Sequence, residues 1–198
     1  MLGSRFYKRI FMKYILASKS PRRRELLAEI VPEFDIITKE VNEDLPSEIH
    51  PKQGVELLAI RKGAAVAREL SPDTLVISSD TLVELGGVPL GKPVDEADAV
   101  KMLKMLSGKA HNVHTGVAVH YQGKVYSGVD TTAVHFREMT DEEILDYVHS
   151  GDPMDKAGAY GIQSGGGKFV SGFDGNYDTV VGLSVTLTKK LIDEALND

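Results

Sequence analysis

The chain has no cysteine and no tryptophan among its 198 residues. Without cysteine there is no disulfide, no thiolate nucleophile and no Cys-ligated zinc. An excess of positive charge is also lacking. Lys and Arg number 23 against 29 Asp and Glu, a formal net charge of −6, so the surface as a whole does not attract nucleic acid or acidic membranes. No apolar run approaches the ~20 residues of a membrane-spanning helix. The N-terminal "MLGSRFYKRIFMKYIL" is basic, but polar residues interrupt it and no small-residue cleavage site follows. The six histidines show no HExxH spacing and read as structural or surface residues, and no GxSxG nucleophile elbow is present. What remains is a cytoplasmic globular protein without a nucleic-acid or membrane partner. Residues 1–12 read as an extension of unknown role and residues 13–198 as one domain.

The patterning alternates strand and helix. "KYILAS" (13–18) and "FDIIT" (34–38) read as strands. Between them Ser20 is placed to cap a helix that starts at Pro21 and turns Leu26, Leu27 and Ile30 inward. A helix is expected over 52–70, with Val55, Leu58, Ala59, Ala65, Val66 and Leu70 as its apolar stripe. "TLVISSDTLVEL" (74–85) is a nearly continuous apolar strand ending at Gly86-Gly87. A helix over 94–106 and strands over 112–121 and 131–139 follow, with a hairpin turn at Gln122-Gly123. Thr140 and Glu143 have capping-box spacing at the head of a helix over 140–151. Residues 151–182 are glycine-rich and read as a loop or broken strand pair before a closing helix over 183–196. Early alternation followed by antiparallel strands indicates an α/β fold with a mixed sheet.

Against the acidic background, "SKSPRRRE" (18–25) stands out. A helix N-terminus favours negative charge, yet three arginines sit there. Free N–H groups at a helix start, joined by forked guanidinium donors, suit a polyanion; a solvated face opposite the acidic residues 40–48 is the equal alternative. Lys62 falls within the apolar stripe of its helix, where it must snorkel, pair or face a cleft. Asp80 interrupts an apolar strand, which is costly unless the carboxylate is paired, hydrogen-bonded or metal-bound; a bulge or strand end would also accommodate it. Glu43 and Asp44 alone are ordinary loop charges. "GGVPLGKP" (86–93) has the glycine and lysine spacing of a phosphate-binding P-loop, but Pro93 stands where a Ser or Thr should ligate Mg²⁺. The P-loop reading fails there, and Lys92 stays a candidate phosphate contact.

Taken in order, "LASKSPRRRELL" (16–27), "VNED" (41–44), "IRKGAA" (60–65), "SSDTLV" (78–83), "LGKP" (90–93), "HNVHTGV" (111–117), "YVHSGDPMDKAGAYGIQ" (147–163) and "VVGLS" (180–184) resemble the Maf family, also called septum-formation proteins. The resemblance runs over about residues 13–195. It implies a long twisted mixed sheet with flanking helices, forming two lobes around a deep cleft, similar to inosine triphosphate pyrophosphatases. It implies hydrolysis of a nucleoside triphosphate at the α-phosphorus, with release of the monophosphate and pyrophosphate. A divalent metal, Mg²⁺ or Mn²⁺, and a homodimer are implied as well.

By the same resemblance Asp80 is the proton acceptor, and Glu43 together with Asp80 serves the metal. A free aspartate is a weak base at neutral pH, and a divalent ion that makes water more acidic would close that gap. Arg22, Arg23, Lys62 and Lys92 would neutralise the triphosphate beside Ser18 and Ser20. Arg22, Thr81 and Gln163 match the branch that prefers dTTP and UTP, modified pyrimidine triphosphates being further candidates; another branch prefers 7-methyl-GTP. A glutamine offers both a donor and an acceptor, which a uracil edge can pair with. Ser164 and Ser184 depart from the family pattern, which has Gly and Pro there. A nucleotide-binding sensor that inhibits division without much catalysis is the rival reading.

Overall fold

The computed structural model describes residues 12–46 and 48–198. All but Met12 of the expected 1–12 extension therefore lies outside the described residues, as does Ser47 of the acidic loop. The elements run β1 (Lys13–Leu16), α1 (Pro21–Ala28), β2 (Asp35–Ile36), α2 (Pro51–Ala67), β3 (Thr74–Leu85), β4 (Val88–Leu90), α3 (Glu96–Leu106), β5 (Ala110–Tyr121), β6 (Lys124–Phe136), α4 (Asp141–His149), β7 (Val170–Asp174), α5 (Tyr177–Val181) and α6 (Val185–Asn197). Seven strands form one mixed sheet in the order β2-β1-β3-β5-β6-β7, with β4 paired to β3. β1 is parallel to both β2 and β3, and the remaining pairs are antiparallel. Among the described residues no helix is long and apolar enough to cross a membrane.

The turn chemistry works as the sequence predicts. Gln122 and Gly123 both have positive φ (48° and 75°), as do Gly86 and Gly87 (58° and 85°), the backbone that a two-residue hairpin demands. Ser20 accepts from the Arg23 N–H at the start of α1, and the Thr140–Glu143 capping box forms at α4. Ser184 proves to be the N-cap of α6, its hydroxyl accepting from the Leu187 N–H and donating to Asp130 at 2.7 Å.

Several expectations are corrected. The strand expected over 131–139 ends at Phe136 and is the second half of β6, which starts at Lys124 directly after the turn; its first half, "KVYSGVD", lacks a clean alternation. The helix expected over 52–70 spans Pro51–Ala67, and the strand over 34–38 shrinks to Asp35–Ile36. Residues 88–90, read only as part of a failed phosphate loop, are β4. The glycine-rich segment is ordered: it holds three 3₁₀ turns at Asp152–Asp155, Ala157–Ala159 and Gly165–Phe169, then β7 and α5. Its glycines serve close packing as well as turning. A Cβ on Gly158 would lie 2.8 Å from the Val83 side chain.

Of three apolar clusters among the described residues, a small one joins Ile15, Ala17 and Val76 to Val66 of α2, and the two larger cores sit at opposite ends of the long central strands. One gathers Leu75, Ile77, Val117 and Val119 with Leu27 of α1 and Leu191 and Ile192 of α6. The other gathers Val83 and Val113 with Leu103, Leu106, Ile144, Tyr160 and Phe169. Between them the edge of β3 changes partner. β1 pairs with residues 74–77 and β4 with residues 83–85, so residues 78–82 have no strand on that side. α2 is drawn hard against β3 and β5. The Ser78 hydroxyl donates to the Ala59 carbonyl at 2.7 Å, and a Cβ on Gly116 would collide with the Val55 carbonyl.

The second core also contains a titrating group. His111 is buried, bonded through Nε2 to the Tyr160 hydroxyl at 2.8 Å, with Phe136 edge-on at 4.9 Å and Nδ1 without a partner among the described residues. Burial pushes its pKa from 6.5 down to about 4. The unfolded chain therefore binds this proton first as pH falls. The stability His111 contributes is complete above about pH 6.5 and is lost as pH drops toward 4. Replacing His111 with Leu should flatten the slope of stability against pH in that window, measured by urea unfolding at several pH values; parallel curves for the two proteins would contradict the assignment.

Candidate active site

A cleft of about 1210 Å³ opens over the unpartnered edge of β3. All of Ser18, Ser20, Arg22, Arg23, Glu43, Lys62, Asp80, Thr81, Lys92 and Gln163 line it. Their sequence separation is closed by topology. β1 delivers the Ser18–Arg23 segment at its carboxyl end, where open α/β sheets bind ligands. The acidic loop supplies Glu43, and α2 supplies Lys62. Lys92 follows β4, and Gln163 comes from the glycine-rich segment.

At the floor, Asp80 and Thr81 point to opposite faces of β3. Asp80 faces α2. Its Oδ1 accepts from the Lys62 ammonium at 2.6 Å, and the same ammonium lies 2.8 Å from Glu43 Oε1. The Lys62 and Asp80 side chains retain only 19% and 14% of their exposure, and Glu43 retains 60%. The hydrogen bond from Lys62 holds the Glu43 carboxyl below its usual range against the opposing effect of burial, with Lys92 and Arg23 assisting. Arg61, whose role the sequence reading missed, fixes this loop by donating to the carbonyls of Asp44 at 2.7 Å and Asn42 at 3.3 Å.

Thr81 faces the other way, into a directed chain of hydrogen bonds. Arg23 donates to the Thr81 hydroxyl at 3.1 Å. Thr81 is 3.0 Å from the Thr115 hydroxyl, which donates to the Thr179 carbonyl at 2.7 Å. Since Thr115 has one proton and gives it to the carbonyl, Thr81 must donate to Thr115. Arg23 also donates to the Ser79 carbonyl at 2.7 Å and the Gly182 carbonyl at 2.9 Å. Burial lowers its pKa and Asp80 opposes that shift, though an arginine stays charged. Arg23 thus ties the open edge of β3 to the C-terminus of α5. By contrast, neither Arg22 nor Lys92 has a hydrogen bond or ion pair from its side chain among the described residues, which leaves both free for an anion.

The sequence reading also left Lys156 without a role. It lines the cleft and bonds Asp155 at 2.7 Å and Asp152 at 3.1 Å. Its signal was its place in the quoted motif at 147–163, the single lysine of that motif, flanked by Asp155 and followed by Gly158 and Gly161.

Among the described residues no group of three or more His, Asp or Glu is arranged to hold a metal ion. Two carboxylates, Glu43 and Asp80, do converge on one cation, the Lys62 ammonium. Hard oxygen donors in that number suit Mg²⁺ or Mn²⁺, which commonly take one or two carboxylates and complete their shell with water and substrate phosphate. The residues therefore fit a divalent ion brought with a phosphate ligand.

A mixed sheet with an open edge, a paired Asp–Lys floor and free cations around it defines a cleft for phosphate-ester or anhydride chemistry. The profile of the Maf-like protein family matches residues 13–195, and the chain belongs to that family. A protein of Bdellovibrio bacteriovorus named dTTP/UTP pyrophosphatase is 44% identical over 186 residues, 91% of this chain and 97% of that one. Its namesake from Aquifex aeolicus is 46% identical over 184 residues, covering 92% and 95%. Among solved structures, the Staphylococcus aureus Ham1 protein superposes with a TM-score of 0.48 at 19% identity, over 63% of this chain and 71% of that one. A superposition that loose says nothing about a shared site.

The Lys62 pair yields a direct test. In Lys62→Met, Glu43 should titrate at higher pH than in the wild type, followed by carboxyl-carbon NMR; an unchanged titration would show that the ammonium does not hold the loop carboxylate.

Proposed function

We propose that the protein is a nucleoside triphosphate pyrophosphatase that converts dTTP and UTP to the monophosphate and pyrophosphate. The observation that carries the reading is the convergence of Asp80, Lys62 and Glu43 with free Arg22 and Lys92 in one cleft. It occurs in a chain 44% and 46% identical over nine-tenths of its length to proteins named dTTP/UTP pyrophosphatase.

Asp80 orients water toward the α-phosphorus and accepts its proton. Lys62, already within bonding distance of Asp80, is placed to move toward phosphate oxygen as negative charge accumulates. Arg22 and Lys92 take the outer phosphates, and Ser18 and Ser20, which line the same cleft, donate their hydroxyls to the same oxygens. Positioning and charge neutralisation supply most of the acceleration in phosphoryl chemistry. Glu43 and Asp80 would hold a divalent ion, Mg²⁺ or Mn²⁺, which would supply neutralisation of phosphate charge and a more acidic water. Gln163 presents its amide to the pyrimidine edge. Thr81 contributes through the geometry that its bonds to Arg23 and Thr115 impose, alongside Arg22. We further infer that residues 13–198 act as one domain, as a homodimer, in the cytoplasm.

The test is a panel of dTTP, UTP, CTP, GTP, 7-methyl-GTP and ITP with Mg²⁺, scoring pyrophosphate against orthophosphate. Pyrophosphate from dTTP and UTP is expected. Release from another base alone would reject the pyrimidine assignment, and no turnover with Mg²⁺ or Mn²⁺ would leave a nucleotide sensor. Asp80→Asn should lower kcat by about 10²–10⁴-fold, the usual contribution of a positioned base, and chelation by EDTA should abolish turnover until metal is restored.

A further inference from the structure

Gln163 stands in a four-residue turn whose two ends are held by a single carboxylate oxygen. The turn closes where the Ser164 N–H donates to the Gly161 carbonyl at 3.2 Å. At one end the Ser164 hydroxyl donates to Asp152 Oδ2 at 2.7 Å. At the other the Gly161 N–H donates to the Tyr147 hydroxyl at 3.1 Å, and that hydroxyl donates to the same Asp152 Oδ2 at 2.6 Å. The other oxygen, Asp152 Oδ1, receives the Lys156 ammonium at 3.1 Å. Burial acts to raise the Asp152 pKa, but the bonds from Ser164, Tyr147 and Lys156 outweigh it and hold the carboxyl below its usual range. The turn has no slack: a Cβ on Gly161 would collide with the Ser164 hydroxyl and lie 2.7 Å from the Lys156 side chain. Gln163 itself is exposed and lines the cleft.

We propose that Ser164 is a positioning residue for base selection, its bond to Asp152 fixing the turn that aims the Gln163 amide into the cleft. The proposal rests on the reading above that Gln163 meets the base. An amide on a free turn would sample several directions and pair with more than one base edge. Bonding both ends to Asp152 fixes the backbone from which the Gln163 side chain departs, so part of the ordering cost of presenting donor and acceptor is met by folding rather than by substrate binding. The Ser164 hydroxyl bonds Asp152 and the Gly161 carbonyl and not Asp80, so its effect is expected on recognition and not on the chemical step.

The test compares wild type, Ser164→Ala and Ser164→Thr for kcat and KM with UTP, dTTP and CTP, together with amide hydrogen exchange across residues 161–164. A hydrogen bond to a charged group commonly governs about a tenfold equilibrium. Ser164→Ala should therefore raise KM for UTP and dTTP about tenfold, with kcat within about twofold, and reduce the preference for UTP over CTP by a similar factor. Exchange at Gly161 and Ser164 should accelerate, and Ser164→Thr, which keeps the hydroxyl, should restore all three. Unchanged KM and base preference, or unchanged exchange, would overturn the proposal, as would a fall in kcat alone, which marks a structural role. A wild-type protein that turns over neither UTP nor dTTP would overturn the functional reading itself, and the exchange comparison would still judge the turn.

Discussion

The site depends on a mismatch of strand lengths. β3 is 12 residues long, while its neighbours on one side, β1 and β4, have 4 and 3. They cover its two ends and leave its middle open. On the other side β5 pairs continuously, setting Asp80 opposite Gly116, and that glycine lets α2 approach until Lys62 meets Asp80. A bare stretch of strand would carry unsatisfied backbone groups. Arg23 answers part of that need by donating to the Ser79 carbonyl, and the remainder of the gap forms the cleft floor.

The run of three arginines at the start of α1 finds its explanation in helix geometry. Successive helical residues point about 100° apart, so the three side chains go to three places. Arg23 enters the fold and braces β3 to Gly182. Arg22 faces the cleft, while Arg24 lies on the outer side, near Phe34 and Asp35. Among the described residues only the middle arginine offsets its unfavourable position with hydrogen bonds, to the Gly182 and Ser79 carbonyls and Thr81, and the first is turned to the cleft.

Much of this was legible because the relevant signals are local. The strand over 74–85 was read to the residue, and both hairpin turns announced themselves through Gln122-Gly123 and Gly86-Gly87. The conflict between an apolar pattern and a charge pointed to Lys62 and Asp80, but the fact that they solve each other's burial is a tertiary contact 18 residues apart, invisible to periodicity. Arg23 and Arg22 could not be told apart in the sequence, because only the fold decides which guanidinium meets carbonyls. The glycine-rich segment misled for a related reason. Its glycines allow close approach of Gly158 to Val83, and its order comes from burying Tyr160 and Phe169 in the second core.

In the proposed reaction, water held by Asp80 attacks the α-phosphorus and the bond to the β-phosphate breaks. Single-turnover hydrolysis of UTP in ¹⁸O-labelled water tests this most directly. Label is expected in UMP and none in pyrophosphate. Label in pyrophosphate, or release of labelled orthophosphate, would mean that water attacks a different phosphorus and that Asp80 does not serve the role given to it.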